Sequence, residues 1–256
     1  MICLAFLKKE GMELVRTGRL PVLLMIFTLF GILNPALAKL TPWLYDTLAE
    51  SMASQGLILT DISVDALTSW NQFYKNISLA VIVFSVMIAA PLAEEYKKQT
   101  LIPLMARGLT LPTAACAKAA AAVITWTLCY WLCFLITWLY NLWFWGNKDI
   151  SHTLAAAAFI WLFGLWVTTL LFLGSVLFRS VSGALLMAAA GALAGWILTL
   201  FAKTAAWSPM QLLSAGTLLN LRTVPEDYKK AALAALVTGL AAFGSALLVS
   251  RKQSAL

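Results

Sequence analysis

Six apolar stretches, each near the length that crosses a bilayer, leave this chain almost no soluble fold to adopt. They run at about 20–42, 77–93, 117–140, 154–178, 182–202 and 231–250. A hydrocarbon core of about 30 Å takes roughly 20 apolar residues in a helix. None of the stretches shows the alternating period of a membrane β-strand. In lipid every backbone N–H and C=O has to be satisfied internally, which a helix does within its own segment. Composition agrees, with 62% of residues hydrophobic and 11% charged, against a usual charged share of about 25%. The expectation is an all-α polytopic membrane protein with six transmembrane helices, forming a single domain over residues 1–256. The run from Leu20 is too long for the core of a secretory signal, and no small-residue cleavage site follows, so it is expected to stay as a span.

Lys and Arg in the connections set orientation. With the N-terminus on the cytoplasmic side, eleven of the eighteen basic residues fall inside: Lys8, Lys9, Arg16, Arg19, Lys97, Lys98, Arg107, Lys118, Arg179, Arg251 and Lys252. Four acids lie with them, leaving a net +7 inside, while seven basic and seven acidic residues balance outside. Both termini are therefore expected in the cytoplasm, facing anionic lipid heads. The basic pI is accounted for in this way, and nucleic acid is not expected as a partner.

Residues 1–19 read as an interfacial amphipathic helix, with Leu4, Leu7, Met12 and Val15 toward lipid and Lys8, Lys9, Glu10, Glu13 and Arg16 toward water. Asn34-Pro35 interrupts the first span. Pro35 cannot bond the carbonyl of Gly31, and Asn34 needs a partner in the bundle. The pair marks either a tolerated kink or a point on a translocation path. In the first outer connection, 43–76, a helical stretch with Ala66, Trp70 and Phe73 toward the membrane would cap the outer mouth. The third span is rich in Trp, Tyr and Phe, which suits either a lining for bulky amphipathic substrates or an interfacial belt with ordinary lipid contact, and the belt is the expectation. Cys129 and Cys133 lie one turn apart and read as packing. His152, the single histidine, has no ligand partners at metal spacing, so no metal site is expected.

A short link at Arg179 forces the fourth and fifth spans to be antiparallel neighbours. Gly191 and Gly195 stand four residues apart in the fifth span and form a small-residue face for close helix or subunit contact. Residues 203–230 contain Ser208-Pro209, a cap followed by Pro at the first helical position, and several leucines about Gly216. They read as an outer helical hairpin re-entering the bilayer before the last span, tolerated where buried in protein.

Between the second and third spans, residues 94–116 hold a short capped helix. Thr100 can cap it, Pro103 fits its first turn, and Gly108 can end it. Leu101, Leu104 and Met105 share one face. An apolar face in a cytoplasmic loop needs a partner. Here the sequence resembles the membrane subunits of ABC transporters of the ABC-2 type. The matching positions are Glu95, Thr100, Leu101, Leu104, Met105, Ala106, Arg107, Gly108, Thr110 and Lys118, with Gln99 and Leu111 departing from the pattern. Arg16-Thr-Gly-Arg followed by Phe30-Gly-Ile-Leu-Asn-Pro35 also looks like bacterial members of this family, and the six-span layout agrees along the whole chain.

The resemblance implies a permease of the bacterial plasma membrane with no catalytic residues. No G-x-x-x-x-G-K-[S/T] loop occurs in the chain, so ATP and Mg would be bound by a separate cytoplasmic ATPase subunit. Leu101–Arg107 would be the coupling helix seated in a groove of that ATPase. A second copy of the permease, or a related one, would complete the complex, with Gly191 and Gly195 at the contact. The implied activity is export of an amphipathic peptide, drug or lipid-like substrate. Two other classes are a non-transporting membrane sensor or immunity subunit for antimicrobial peptides, which could keep the same coupling stretch, and an intramembrane lipid-modifying enzyme. The enzyme would need ionisable residues within the spans, and those are nearly absent.

Overall fold

The computed structural model describes residues 2–53, 65–98, 110–146 and 151–254, all of regular structure being helical among them. A short helix α1 (Ile2–Arg16) precedes α2 (Arg19–Ala53), α3 (Ala66–Lys98), α4 (Leu111–Trp145), α5 (Thr153–Phe178) and α6 (Val181–Thr199). A single helical turn and two 3-10 segments, Pro209–Asn220 and Pro225–Tyr228, lead into α7 (Lys229–Ser254). Among the described residues, six helices are long and apolar enough to cross a membrane: 19–44 of α2, 66–93 of α3, α4, α5, α6 and 225–252.

The bundle is organised about α4 and α5. Helix α4 packs against α1, α2, α3, α5 and α7, and α5 against α3, α6, α7 and the longer 3-10 segment. The link between α5 and α6 is short, as expected. Arg179 takes a left-handed conformation and Ser180 caps α6 by accepting from the Gly183 amide at 3.0 Å. The helices beyond are close neighbours: a Cβ on Gly174 would lie 2.6 Å from Met187 Cβ.

Three expectations need correction. The second long helix starts at Ala66, eleven residues before the apolar run at 77. Ala66, Trp70 and Phe73 accordingly continue the face that carries Ile77, Ala80 and Phe84, and all six are buried in the bundle instead of facing lipid. The aromatic residues of α4 divide by depth. Trp126 and Tyr130 are fully buried and stacked at 5.3 Å, and Phe134 lies 5.2 Å from Trp70, so this end of the cluster is protein core. Only Trp138, Tyr140, Trp143 and Phe144 remain exposed as a belt. The third correction concerns Glu10, which was expected in water and is 4% exposed.

Within residues 203–230 the two main helical segments, Pro209–Asn220 and Pro225–Tyr228, take the 3-10 form. Ser208 caps the first segment, accepting from the Met210 amide at 3.2 Å while donating to the Gly195 carbonyl at 2.6 Å. Leu212, Ala215, Leu218 and Leu219 bury its apolar face. Tyr228 Oη donates to the Ser214 carbonyl at 2.9 Å, tying the two segments together. Gly216 sits against Tyr74, where an added Cβ would come within 2.9 Å of the tyrosine Cβ and Cγ.

Candidate coupling site and membrane cavity

The first site is the root of the 94–116 connection. Phe6, Glu10 and Leu14 recur every fourth residue and so share the face of α1 that meets the bundle. The opposing face of α4 is built from Ala114, Ala117, Ala121 and Ala122, small enough for α1 to come close. Lys118 stands among them, 3% exposed. Its Nζ donates to Glu10 Oε2 at 3.0 Å and to the carbonyl of Pro91, also at 3.0 Å. Glu10 Oε1 accepts from Lys9 at 3.1 Å, and Lys9 also pairs with Glu13 at 2.8 Å. Removing two charges from water costs several kcal/mol per ion, which this pair offsets with charge-assisted bonds on both partners. One lysine thereby joins α1 to α3 and to the start of α4, the two helices on either side of the 94–116 connection.

Of the coupling residues expected from sequence, Lys118 is thus at the centre of this knot. Glu95 belongs to the last turns of α3. Thr100, Leu101, Leu104, Met105, Arg107 and Gly108 lie outside the described residues.

Asn34 and Pro35 are sealed inside the bundle. Asn76 of α3 donates from Nδ2 to Asn34 Oδ1 at 2.8 Å, and Asn34 is fully buried. The Gly31 carbonyl, which Pro35 leaves without its helical donor, accepts from the hydroxyl of Thr137 at 3.1 Å. Both local polar requirements of the kink are met by neighbouring helices, which favours the tolerated-kink alternative. Thr137→Val keeps the shape but orphans this carbonyl, and is expected to cost about 1–3 kcal/mol in equilibrium unfolding. A change below ~0.5 kcal/mol would mean that the carbonyl finds another donor.

The Gly191 and Gly195 face is filled within the chain. A Cβ on Gly191 would meet Leu170 Cδ1 of α5 at 2.4 Å, and one on Gly195 would meet Met210 Cγ at 2.9 Å. Close approach is what these glycines permit, and α5 and the 3-10 segment are what approach. The large apolar residues that α6 leaves exposed lie elsewhere on it, at Leu186, Leu193, Trp196, Ile197 and Leu198.

A second site was not foreseen from sequence. A cavity of about 490 Å³ opens between α3, α5, α6 and the first 3-10 segment. Phe163, Val167, Leu185, Met210 and Leu213 line it with apolar surface, and the hydroxyls of Ser78 and Ser85 are its polar side chains. Ser85 donates to the Val81 carbonyl at 2.8 Å, so it presents little polarity to the cavity. Exposed Ile82 and Val86 stand at its edge. The space exists because α6 contributes Ala188, Ala189 and Ala192 where larger residues would close it. Such a volume and lining suit the apolar body of an amphipathic molecule. No protein-family model matches this chain, and no curated protein or solved structure matches it either.

Proposed function

We propose that this chain is the permease subunit of an ATP-driven exporter of the ABC-2 type, moving an amphipathic peptide, drug or lipid-like substrate outward. The observation that carries the reading is the Lys118 knot. A loop that receives force from a partner needs its roots fixed to the bundle, and Lys118 ties both roots of 94–116 to α1. Force from an ATPase closing on the coupling helix then reaches α3 and α4 together. Alternating access follows as a two-state shift of the bundle biased by ATP. ATP and Mg belong to the partner ATPase.

The rest of the reading is in keeping. Both termini lie in the cytoplasm by the distribution of basic residues, and the 3-10 hairpin re-enters the outer leaflet, its apolar residues covered by protein. The cavity beside α3 and α6 accepts the apolar part of the substrate. A second permease copy completes the complex against the exposed apolar faces of α3 and α6, where Leu79, Ile82, Leu193 and Ile197 have no cover.

Two experiments test this. Leu104→Asp with Met105→Asp is expected to abolish co-purification of the ATPase subunit while leaving membrane insertion intact; retained association would overturn the coupling role. Cysteine at Leu57 is expected to react with an impermeant reagent from outside, and cysteine at Gln99 only after access from inside. The reverse pattern would overturn the orientation.

A further inference from the structure

We propose that the seam between α2, α3 and α4 binds ordered water at Asn141, backed by Asn34, Asn76 and Thr137. Asn141 is wholly buried, and neither its Oδ1 nor its Nδ2 meets any hydrogen-bonding group among the described residues. Its position follows from two contacts on the same pair of helices. Thr137 of α4 reaches the Gly31 carbonyl of α2 at 3.1 Å, and Lys39 of α2 lies over the rings of Phe144 and Trp145 at 5.6 and 5.9 Å. Both helices advance in the same direction between these contacts. Asn141, one turn beyond Thr137 on the same face, therefore stands opposite α2 just past Gly31, beside Asn34 and Pro35.

Nothing at that turn of α2 serves it. Pro35 has no N–H to offer, and Asn34 Oδ1 is already engaged by Asn76 at 2.8 Å. An amide both donates and accepts, and leaving one dry inside a membrane bundle is costly. Ser69, seven residues before Asn76 and so on the same face of α3, carries a buried hydroxyl that also has no partner among the described residues. Buried groups of this kind are ordinarily met by ordered water.

The chemistry of the seam selects water over an ion. Asn34, Ser69, Asn76, Thr137 and Asn141 are all neutral, so an ion among them would lose its hydration without a countercharge. Water is neutral and supplies both donor and acceptor. It also gives α2 exchangeable partners where its helical ladder is already open at Pro35, so that the helix can bend there without stranding polar groups in hydrocarbon. This inference does not depend on the transport reading.

The test uses the intact chain in lipid bilayers. Solid-state NMR with nitrogen label in the asparagine side chains and the alanine backbone amides measures magnetisation transfer from water to the Asn141 amide, its signal assigned by loss in Asn141→Leu. The expected result is transfer to Asn141 Nδ2 well above that to the backbone amide of fully buried Ala157. No transfer above the Ala157 level overturns the proposal. Transfer to Asn34 and Asn76 alone does so too, as does an Asn141 shift that follows added sodium without any water signal.

Discussion

Replacing Lys118 by Met is expected to destabilise the protein by about 3–5 kcal/mol, because one charge of a buried pair is left behind. Glu10 is 4% exposed, and after the change Lys9 is the one partner left to its carboxylate among the described residues. The Pro91 carbonyl loses its lysine donor at the same time. A companion variant separates the cost of the orphaned charge from the value of the pair. Glu10→Met combined with Lys118→Met removes both charges and keeps the volume, and apolar replacements of this kind are often near neutral. The double variant is therefore expected to recover most of the stability lost by either single one. Equilibrium unfolding of the four proteins in mixed micelles gives the coupling directly. A single variant within ~1 kcal/mol of the parent would mean that the pair is solvated and does not brace the loop.

The second large effect is expected at Gly164, where α4 and α5 touch. A Cβ there would lie 2.0 Å from Trp126 Cζ2 and 2.1 Å from Cε2. The ring has nowhere to go. Its Nε1 donates to the Trp161 carbonyl at 3.0 Å, and it packs on Tyr130 at 5.3 Å, Phe84 at 5.1 Å and Phe27 at 6.1 Å. Overpacking by a single methyl typically costs about 1–3 kcal/mol, and Gly164→Ala is expected at the upper end because Trp126 and its three aromatic neighbours would have to move. Gly164→Val is expected to yield no folded monodisperse protein by size-exclusion chromatography. Adding Trp126→Phe to Gly164→Ala should return part of the loss by shrinking the ring. If Gly164→Ala unfolds like the parent, α4 and α5 are not packed at this contact.

Hydropathy made all six spans legible, since length and apolar content need no knowledge of the fold. The start of α3 was not, because Ser69, Asn71, Gln72 and Lys75 dilute the apolar run while the helical period carries on through Ala66, Trp70 and Phe73. At Pro35 the local rule identified which carbonyl is freed, but the donor, Thr137, comes from a helix 106 residues away in sequence. Glu10 reads as a solvent-facing residue on an amphipathic helix for the same reason: its partner is 108 residues distant, and a charge pattern on one helix cannot reveal it. Gly164 carries no spacing signal, and its role appears only once Trp126 is placed beside it. The cavity is a property of four elements jointly, and the alanines that make room for it look like ordinary membrane-helix residues.

The most direct test of the transport account is the mass of the complex released from the membranes of the native host, measured by native mass spectrometry through a tag on this chain. The expected species contains two permease subunits and two copies of a nucleotide-binding ATPase, with the ATPase lost from Leu104→Asp, Met105→Asp protein. This chain recovered by itself or as a homo-oligomer, with no ATPase in gently solubilised membranes, would contradict the account.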